Sequence, residues 1–198
     1  LDHDSRAQAL GEQWFGSGRG ESTFASVQTG DGLSVGLVLD GAVYRGPALV
    51  AGELGHTAVE LDGRACRCGL RGCWETVASI HWLREEAARL EISGANAMDG
   101  ALASALADRG DAAAVELVDR YADHLAIGLA NLHQILGVTL FVVHGDAAGG
   151  GESLRGRVQQ AADRRSLRPV RVETSELGRE ATVLGAAAVV LAEELHRS

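Results

Sequence analysis

The sequence predicts an α/β fold, a mixed sheet covered by helices, and three observations carry that prediction. The 198 residues include 26 glycines but only 2 prolines, the balance of a chain with tight strand turns and not of a disordered one. Short alternating apolar runs joined by glycine-rich turns occupy the first quarter of the chain. Longer stretches with helical spacing of apolar residues occupy most of the rest, interrupted by short apolar runs.

Taken in order, Ser5 to Phe15 reads as a helix with Asp4 at its N-cap. Phe24 to Gln28 and Leu33 to Leu39 read as strands joined by Gly30-Asp31-Gly32, and Asp40-Gly41 predicts a hairpin into Ala42-Val43-Tyr44. Gly46 to Gly55 reads as a loop, His56 to Leu61 as a short strand and Asp62 to Gly72 as a second loop. One helix is expected over Trp74 to Leu90, and another with weak, alanine-rich flanks over Gly94 to Gly110. Asp111 to Leu136 is the longest, with apolar residues at Val115, Val118, Leu125, Leu129 and Leu132. Leu140 to Val143 reads as a short buried strand, followed by His144-Gly145-Asp146. Gly151 to Arg164 is a helix, Val170 to Val172 an edge strand and Ala181 to Leu195 a C-terminal apolar helix. No repeat or linker divides the chain, and 198 residues can bury a sizeable core.

Composition excludes several functions. A net charge of -9 argues against the chain itself gripping a phosphate backbone, though not against a basic neighbouring domain. All the basic residues are arginine, so no lysine can serve a phosphate loop. No 18-residue apolar run and no signal-peptide pattern occur, so no membrane partner is expected. The chain starts at Leu1 and not at Met, as a processed product or a fragment would.

The three cysteines all fall in one short run, Cys66-Arg67-Cys68-Gly69-Leu70-Arg71-Gly72-Cys73. With His56 upstream they make a complete tetrahedral ligand set for structural zinc, and the two glycines allow the turns that aim several sulfurs at one point. The alternatives are a buried cluster of free thiols, or one disulfide plus a spare thiol. Disulfides favour oxidising compartments and even cysteine counts, so the spacing fits zinc better. Four protein ligands leave no open position, so the ion would hold a loop in shape and do no chemistry. Thiolate-held zinc points to a reducing, cytoplasmic setting.

Gly52-Glu53-Leu54-Gly55-His56, followed by Cys-x-Cys-Gly-x-x-Gly-Cys-x-Glu-x-x-x-Ser over Cys66 to Ser79, closely resembles the signature of the ROK family. That family groups transcriptional repressors, sugar kinases and uncharacterised reading frames. Asp4 to Glu12, Phe15 to Gly20, Val38 to Gly41 and Val142 to Gly145 extend the resemblance along the whole chain. It implies an actin-like fold of the sugar kinase and Hsp70 type, with residues 1–198 as the C-terminal lobe and a zinc loop at 56–75. The N-terminal lobe with the first phosphate loop, and any winged helix-turn-helix, would lie outside this chain.

The resemblance also implies roles. Glu53 and Glu75 would bind sugar hydroxyls, and His56 would hold zinc with one ring nitrogen and the sugar with the other. Asp4 occupies the position of the kinases' catalytic base. His3 stands where the kinases usually carry Asn, and several repressors of the family share the His-Asp pair. Without the resemblance, Asp4 reads as a helix cap, Glu53 as a solvated loop acid and Glu75 as first-turn helix charge. Gly30, Asp31 and Gly32 stand where the kinases carry Gly-Thr-Gly, and Gly145 and Asp146 stand at the second nucleotide turn. Asp31 and Asp146 would set carboxylates against phosphate, so both elements read as degenerate. The resemblance therefore favours the effector lobe of a repressor. That lobe would bind a sugar or sugar phosphate and act on DNA through a domain outside this chain. The alternative is a hexose kinase of the glucokinase or N-acetylglucosamine kinase type, using ATP and Mg2+ with Asp4 as base. A homodimer or homotetramer is expected from the family.

Overall fold

The structure, a computed structural model, describes residues 3–47 and 51–195, with side chains up to residue 191. Part of the loop expected over Gly46 to Gly55 lies outside the described residues. Strands β1 (Phe24–Thr29) and β2 (Leu33–Leu39) pair antiparallel across Gly30-Asp31-Gly32, and β3 (Ala42–Val43) adds to β2. Between β2 and β3, Asp40 and Gly41 take φ of 52° and 79°, the left-handed pair that a two-residue primed hairpin turn requires. Strands β4 (Leu140–Gly145) and β5 (Arg171–Thr174) join in parallel, giving the order β3-β2-β1-β4-β5. The sheet is mixed and β5 is an edge, as expected.

Side chains of the central strands alternate between two layers, as the period-2 geometry of a strand dictates. Phe24, Val38, Leu140 and Val142 face Ala9 on α1 (Asp4–Phe15). Ala25, Val27, Val35, Phe141 and Val143 face the larger core, which holds Trp74, Tyr121 and Leu129. Both faces being covered explains why β4 reads as a continuous apolar run. Helix α8 (Glu180–Leu195) packs tightly on α1: a Cβ at Gly185 would lie 1.7 Å from the Ala7 carbonyl oxygen.

Four expectations change. The helix expected over Trp74 to Leu90 is two, α2 (Glu75–Ala78) and α3 (Ile80–Arg89), broken at Ser79. Ser79 is extended (φ -106°, ψ 166°) and its hydroxyl accepts the Trp82 N–H. The break frees the Ile80 N–H to donate to the Gly30 carbonyl at 2.9 Å, which ties α3 to the β1–β2 turn. The segment from Gly94 to Gly110 is a 3-10 turn (Ala95–Ala97) followed by α4 (Gly100–Asp108), because Asp99 caps a new helix with a 2.7 Å bond to the Leu102 N–H. His56 to Leu61 is not a strand; it makes one isolated bridge, Ala58 to Cys73, after a 3-10 turn over Leu54–His56. Finally, α1 begins at Asp4 and its N-cap is His3, whose Nδ1 accepts the Ser5 N–H at 3.4 Å.

Of the remaining helices, α5 (Ala112–Leu136) and α7 (Gly151–Arg165) follow the expected order, while a short α6 (Asp146–Gly149) appears between β4 and α7 where no helix was expected. Trp74 lies against α5 at Gly128, and its indole N–H donates to the His124 carbonyl at 2.8 Å. A Cβ at position 128 would fall 2.1 Å from Trp74 Cε2. Gly→Ala inside a helix ordinarily gains about 1 kcal/mol. Here Gly128→Ala is expected to cost about 1–3 kcal/mol through overpacking, which urea denaturation would read.

Candidate functional site

The cysteine loop is shaped by its two glycines. Gly69 and Gly72 take φ of 90° and 71°, and a Cβ at Gly72 would lie 1.8 Å from the Glu60 carbonyl oxygen. The Cys66 N–H bonds the Leu70 carbonyl and the Gly69 N–H bonds the Cys66 carbonyl, at 2.8 and 3.0 Å. This tight turn brings Cys68 Sγ to 3.6 Å from Cys73 Sγ, while Cys66 Sγ lies 3.5 Å from His56 Nδ1. One ligand atom from each of the four residues lies within 4.8 Å of every other. Ligand-to-ligand edges around tetrahedral zinc are about 3.5–3.8 Å, given Zn–S near 2.3 Å and Zn–N near 2.0 Å. The Cys3His group could therefore hold a metal ion. Burial pushes the Cys66 thiol up to about 12 and raises Cys73, while the Leu70 N–H lowers Cys68. A metal must displace these protons, so its affinity rises with pH.

Glu53 links this group to the start of α1. Its Oε2 lies 3.8 Å from His56 Nε2 and its Oε1 lies 3.9 Å from His3 Nε2. The His56 ring thus turns Nδ1 to the cysteines and Nε2 to Glu53. Asp4 stands exposed on the first turn of α1, beside His3. Gly52 holds the segment against β2, with φ of 109° and its carbonyl accepting the Val35 N–H at 3.2 Å.

Glu75 lies on the other side of the imidazole. Its carboxylate is nearly buried, 3.7 Å from His56 Nδ1, and accepts the Cys66 S–H at 3.1 Å. Arg67 closes over it, with Nε 3.2 Å from Oε1 and Nη2 3.3 Å from Oε2. Sequence reading missed Arg67, because the x of Cys-x-Cys carries no motif signal. A cavity of about 480 Å³ opens between the metal loop, the β1–β2 turn and the start of α3, lined by Asp31, Arg67, Glu75, Ser79, His81 and Trp82 among others. A larger groove between α5 and α7 is lined by the ion-paired Asp119, Asp123, Arg157 and Arg164 and holds none of the expected site residues.

The two expected nucleotide turns differ. Asp31 is exposed at the tip between β1 and β2, 3.6 Å from His81 Nε2. Gly32 lies under Arg67, whose Nη2 would be 2.5 Å from a Cβ there. Gly145 ends β4 against Thr29, where a Cβ would lie 1.9 Å from the Thr29 carbonyl oxygen. The Asp146 carboxylate does not face that turn as a bare charge. It accepts the Gly100 N–H at 2.9 Å and the Tyr121 hydroxyl at 3.2 Å, and burial raises its pKa. With two protein donors and a pKa raised by burial, Asp146 carries less charge toward the turn than a bare carboxylate would.

His144, behind the same turn, belongs to a buried cluster that motif reading did not find. Its Nε2 lies 3.0 Å from Ser26 Oγ and 3.5 Å from Oε1 of the buried Glu12. Glu12 also accepts the Ser175 hydroxyl and the Ser17 N–H, at 2.5 and 2.9 Å. Burial raises the Glu12 pKa and depresses His144 to about 4.

The chain as a whole is similar to known proteins. The ROK family profile matches residues 1–193. A glucokinase from Thermotoga maritima is 32% identical over 96% of this chain and 65% of its own length. A putative xylose repressor from a Caldicellulosiruptor species is 33% identical over 98% of this chain and 52% of its own length. Among solved structures, a ROK family glucokinase from Streptomyces griseus, in complex with glucose and AMPPNP, superposes with a TM-score of 0.87 at 28% identity, over 96% of this chain and 67% of that one. A ROK family transcriptional regulator, a homologue of the E. coli MLC protein, gives 0.81 at 28% identity, over 95% of this chain and 50% of that one. The chain thus spans about half to two thirds of the relatives it matches. Kinases and repressors stand side by side among these relatives. The mixed sheet with flanking helices is the actin-like fold of the sugar kinases, and the profile match over nearly the whole chain joins it to the cysteine signature: this protein is a member of the ROK family.

Proposed function

We propose that this chain is the C-terminal, sugar-sensing lobe of a ROK transcriptional repressor, with structural zinc on His56, Cys66, Cys68 and Cys73. Zinc would supply rigidity and a fixed imidazole tautomer. With Nδ1 committed to the metal, His56 Nε2–H is a donor aimed beside Glu53. The carboxylates of Glu53 and Asp4 would accept hydrogen bonds from sugar hydroxyls, and Glu75 would join them once Arg67 moves aside. Sugar or sugar phosphate bound across these groups would shift a closure equilibrium felt by a DNA-binding portion outside this chain. A thiolate-held ion suits a reducing, cytoplasmic setting, and the family suggests a homodimer or homotetramer.

The observation that favours a sensor over an enzyme is Asp31. Its carboxylate, 82% exposed, stands at the tip of the turn where the family's kinases would receive phosphate, and like charges repel. A specific observation also favours the kinase reading: Asp4 is exposed at the position of the kinases' base, and Asp146 is turned inward. Calorimetric titration of the full-length protein decides between them. Binding from a sugar panel with no binding of ATP or its nonhydrolysable analogue supports the sensor. Nucleotide binding with sugar-dependent ADP release overturns it in favour of an ATP- and Mg2+-dependent hexose kinase. In either case Glu53→Gln is expected to keep the metal and weaken sugar binding about ten- to a hundredfold, the worth of a hydrogen bond to a charged group. Unchanged affinity would remove Glu53 from the site.

A further inference from the structure

We propose that Cys68 and Cys73 form a reversible dithiol switch, in which peroxide oxidises the exposed Cys68 and Cys73 then closes a disulfide on it. The metal arm of this proposal rests on the zinc reading above; the thiol arm does not.

Exposure and distance assign the two roles. Cys68 is the one exposed thiol of the three, so an oxidant in solution reaches it first. Cys73 is fully buried, with its sulfur 3.6 Å from that of Cys68. A disulfide needs about 2.05 Å, so the two sulfurs must close by about 1.5 Å. The intervening loop begins at Gly69, which has open space around its Cβ position, while Gly72 is held against Glu60, so the closing movement falls on the Cys68–Gly69 side. Cys66 is the poorer partner. It is buried, its thiol is engaged by Glu75 at 3.1 Å, and a bridge to Cys68 would span a single residue in a strained ring.

The chemistry balances with hydrogen peroxide as the named oxidant. The Cys68 thiolate attacks one peroxide oxygen, the O–O bond breaks, and Cys68 becomes a sulfenic acid as hydroxide leaves. Cys73 sulfur attacks the sulfenic sulfur, the S–S bond forms and the S–O bond breaks. The first hydroxide takes the proton that Cys68 released on ionising and the second takes the Cys73 proton, either proton coming from solvent where a metal had already displaced it, so two electrons from the two sulfurs reduce peroxide to two waters. Where zinc is bound, the disulfide would leave it only Cys66 and His56 as ligands, too few for a closed site, so the link is expected to release it. The His56 ring then loses the anchor that aims Nε2 at Glu53, and sugar binding weakens. A dithiol reductant reverses the change by thiol–disulfide exchange.

Peptide mapping of the full-length protein tests this. Cleavage after Arg64, Arg67, Arg71 and Arg84 separates the thiols onto peptides 65–67, 68–71 and 72–84. Zinc is quantified first, then the protein is treated with hydrogen peroxide, digested and mapped with and without dithiothreitol. The expected result is peptide 68–71 joined to 72–84 with loss of two hydrogens, reversed by dithiothreitol, with one zinc released per link. Cys66→Ser should form the same link, since it keeps both partners. A link that includes peptide 65–67 overturns the proposal. So does Cys68 carried to sulfinic or sulfonic acid while 72–84 stays free, and so does the absence of any link while a small free thiol in the same tube is oxidised. The link in protein that held no zinc upholds the dithiol and sinks the zinc reading. Zinc without a link does the reverse.

Discussion

Cys68→Ser is expected to strip the metal from the protein and to lower its melting temperature by roughly 6–12 °C. An exposed residue ordinarily tolerates such a change within about 0.5 kcal/mol, and Cys68 is exposed. The difference lies in linkage. Metal binding is folding free energy wherever the site does not exist in the unfolded chain. Between His56 and Cys73 the backbone makes two isolated bridges and several turn hydrogen bonds but no strand pairing, so ligation would add a substantial restraint on that segment. A loss of about 3 kcal/mol moves the melting point of a chain this size by the stated amount, at about 2–4 °C per kcal/mol. A chelator added to the wild-type protein should reproduce the shift and leave Cys68→Ser unmoved. Unchanged metal content and melting temperature in the variant would sink the structural-zinc reading.

Stability is also expected to fall as pH drops from 6.5 toward about 4, through His144. Burial depresses its pKa from 6.5 to about 4, so in that window the unfolded chain binds a proton that the folded chain refuses. Unfolding is then favoured as pH falls; the contribution is fully present above 6.5 and exhausted below about 4. The full swing is about 3 kcal/mol, at about 1.4 kcal/mol per pKa unit. Glu12 works in the opposite direction. Its folded pKa is raised from 4.5, with Glu173 and Glu176 adding to the effect of burial. The folded state therefore holds the Glu12 proton longer, and stability falls as pH rises through the raised value. Urea denaturation across the pH range separates the two. His144→Gln should flatten the loss between 6.5 and 4, whereas Glu12→Gln should steepen the net loss on acidification. A wild-type curve parallel to that of His144→Gln would show that His144 does not titrate in this way.

How legible each element was depends on how local its cause is. The hairpin at Asp40-Gly41 was readable because those two residues alone supply the left-handed turn. The length of α5 was readable because its apolar residues repeat with the helical period over seven turns. The break at Ser79 was not, since one extended residue barely disturbs a periodic pattern. It is held by a bond from Ile80 to the carbonyl of Gly30, far off in the chain. The start of α4 was hidden by its alanine-rich surroundings, and only the Asp99 side chain marks it.

The same distinction runs through the site. By itself the sequence determined the family, the actin-like fold and the Cys3His group, because those rest on residue types at short, fixed spacing and on glycines that permit the turns. Only the tertiary structure decided which way each charge points. Arg67 covers Glu75, Asp146 turns inward to Gly100 and Tyr121, Asp31 stays outside, and Glu12 meets His144 under α1. The physical reason is that a carboxylate's role depends on what desolvates it and which donors reach it. Those partners come from elements far apart in the chain, brought together by the packing of the sheet and its helices.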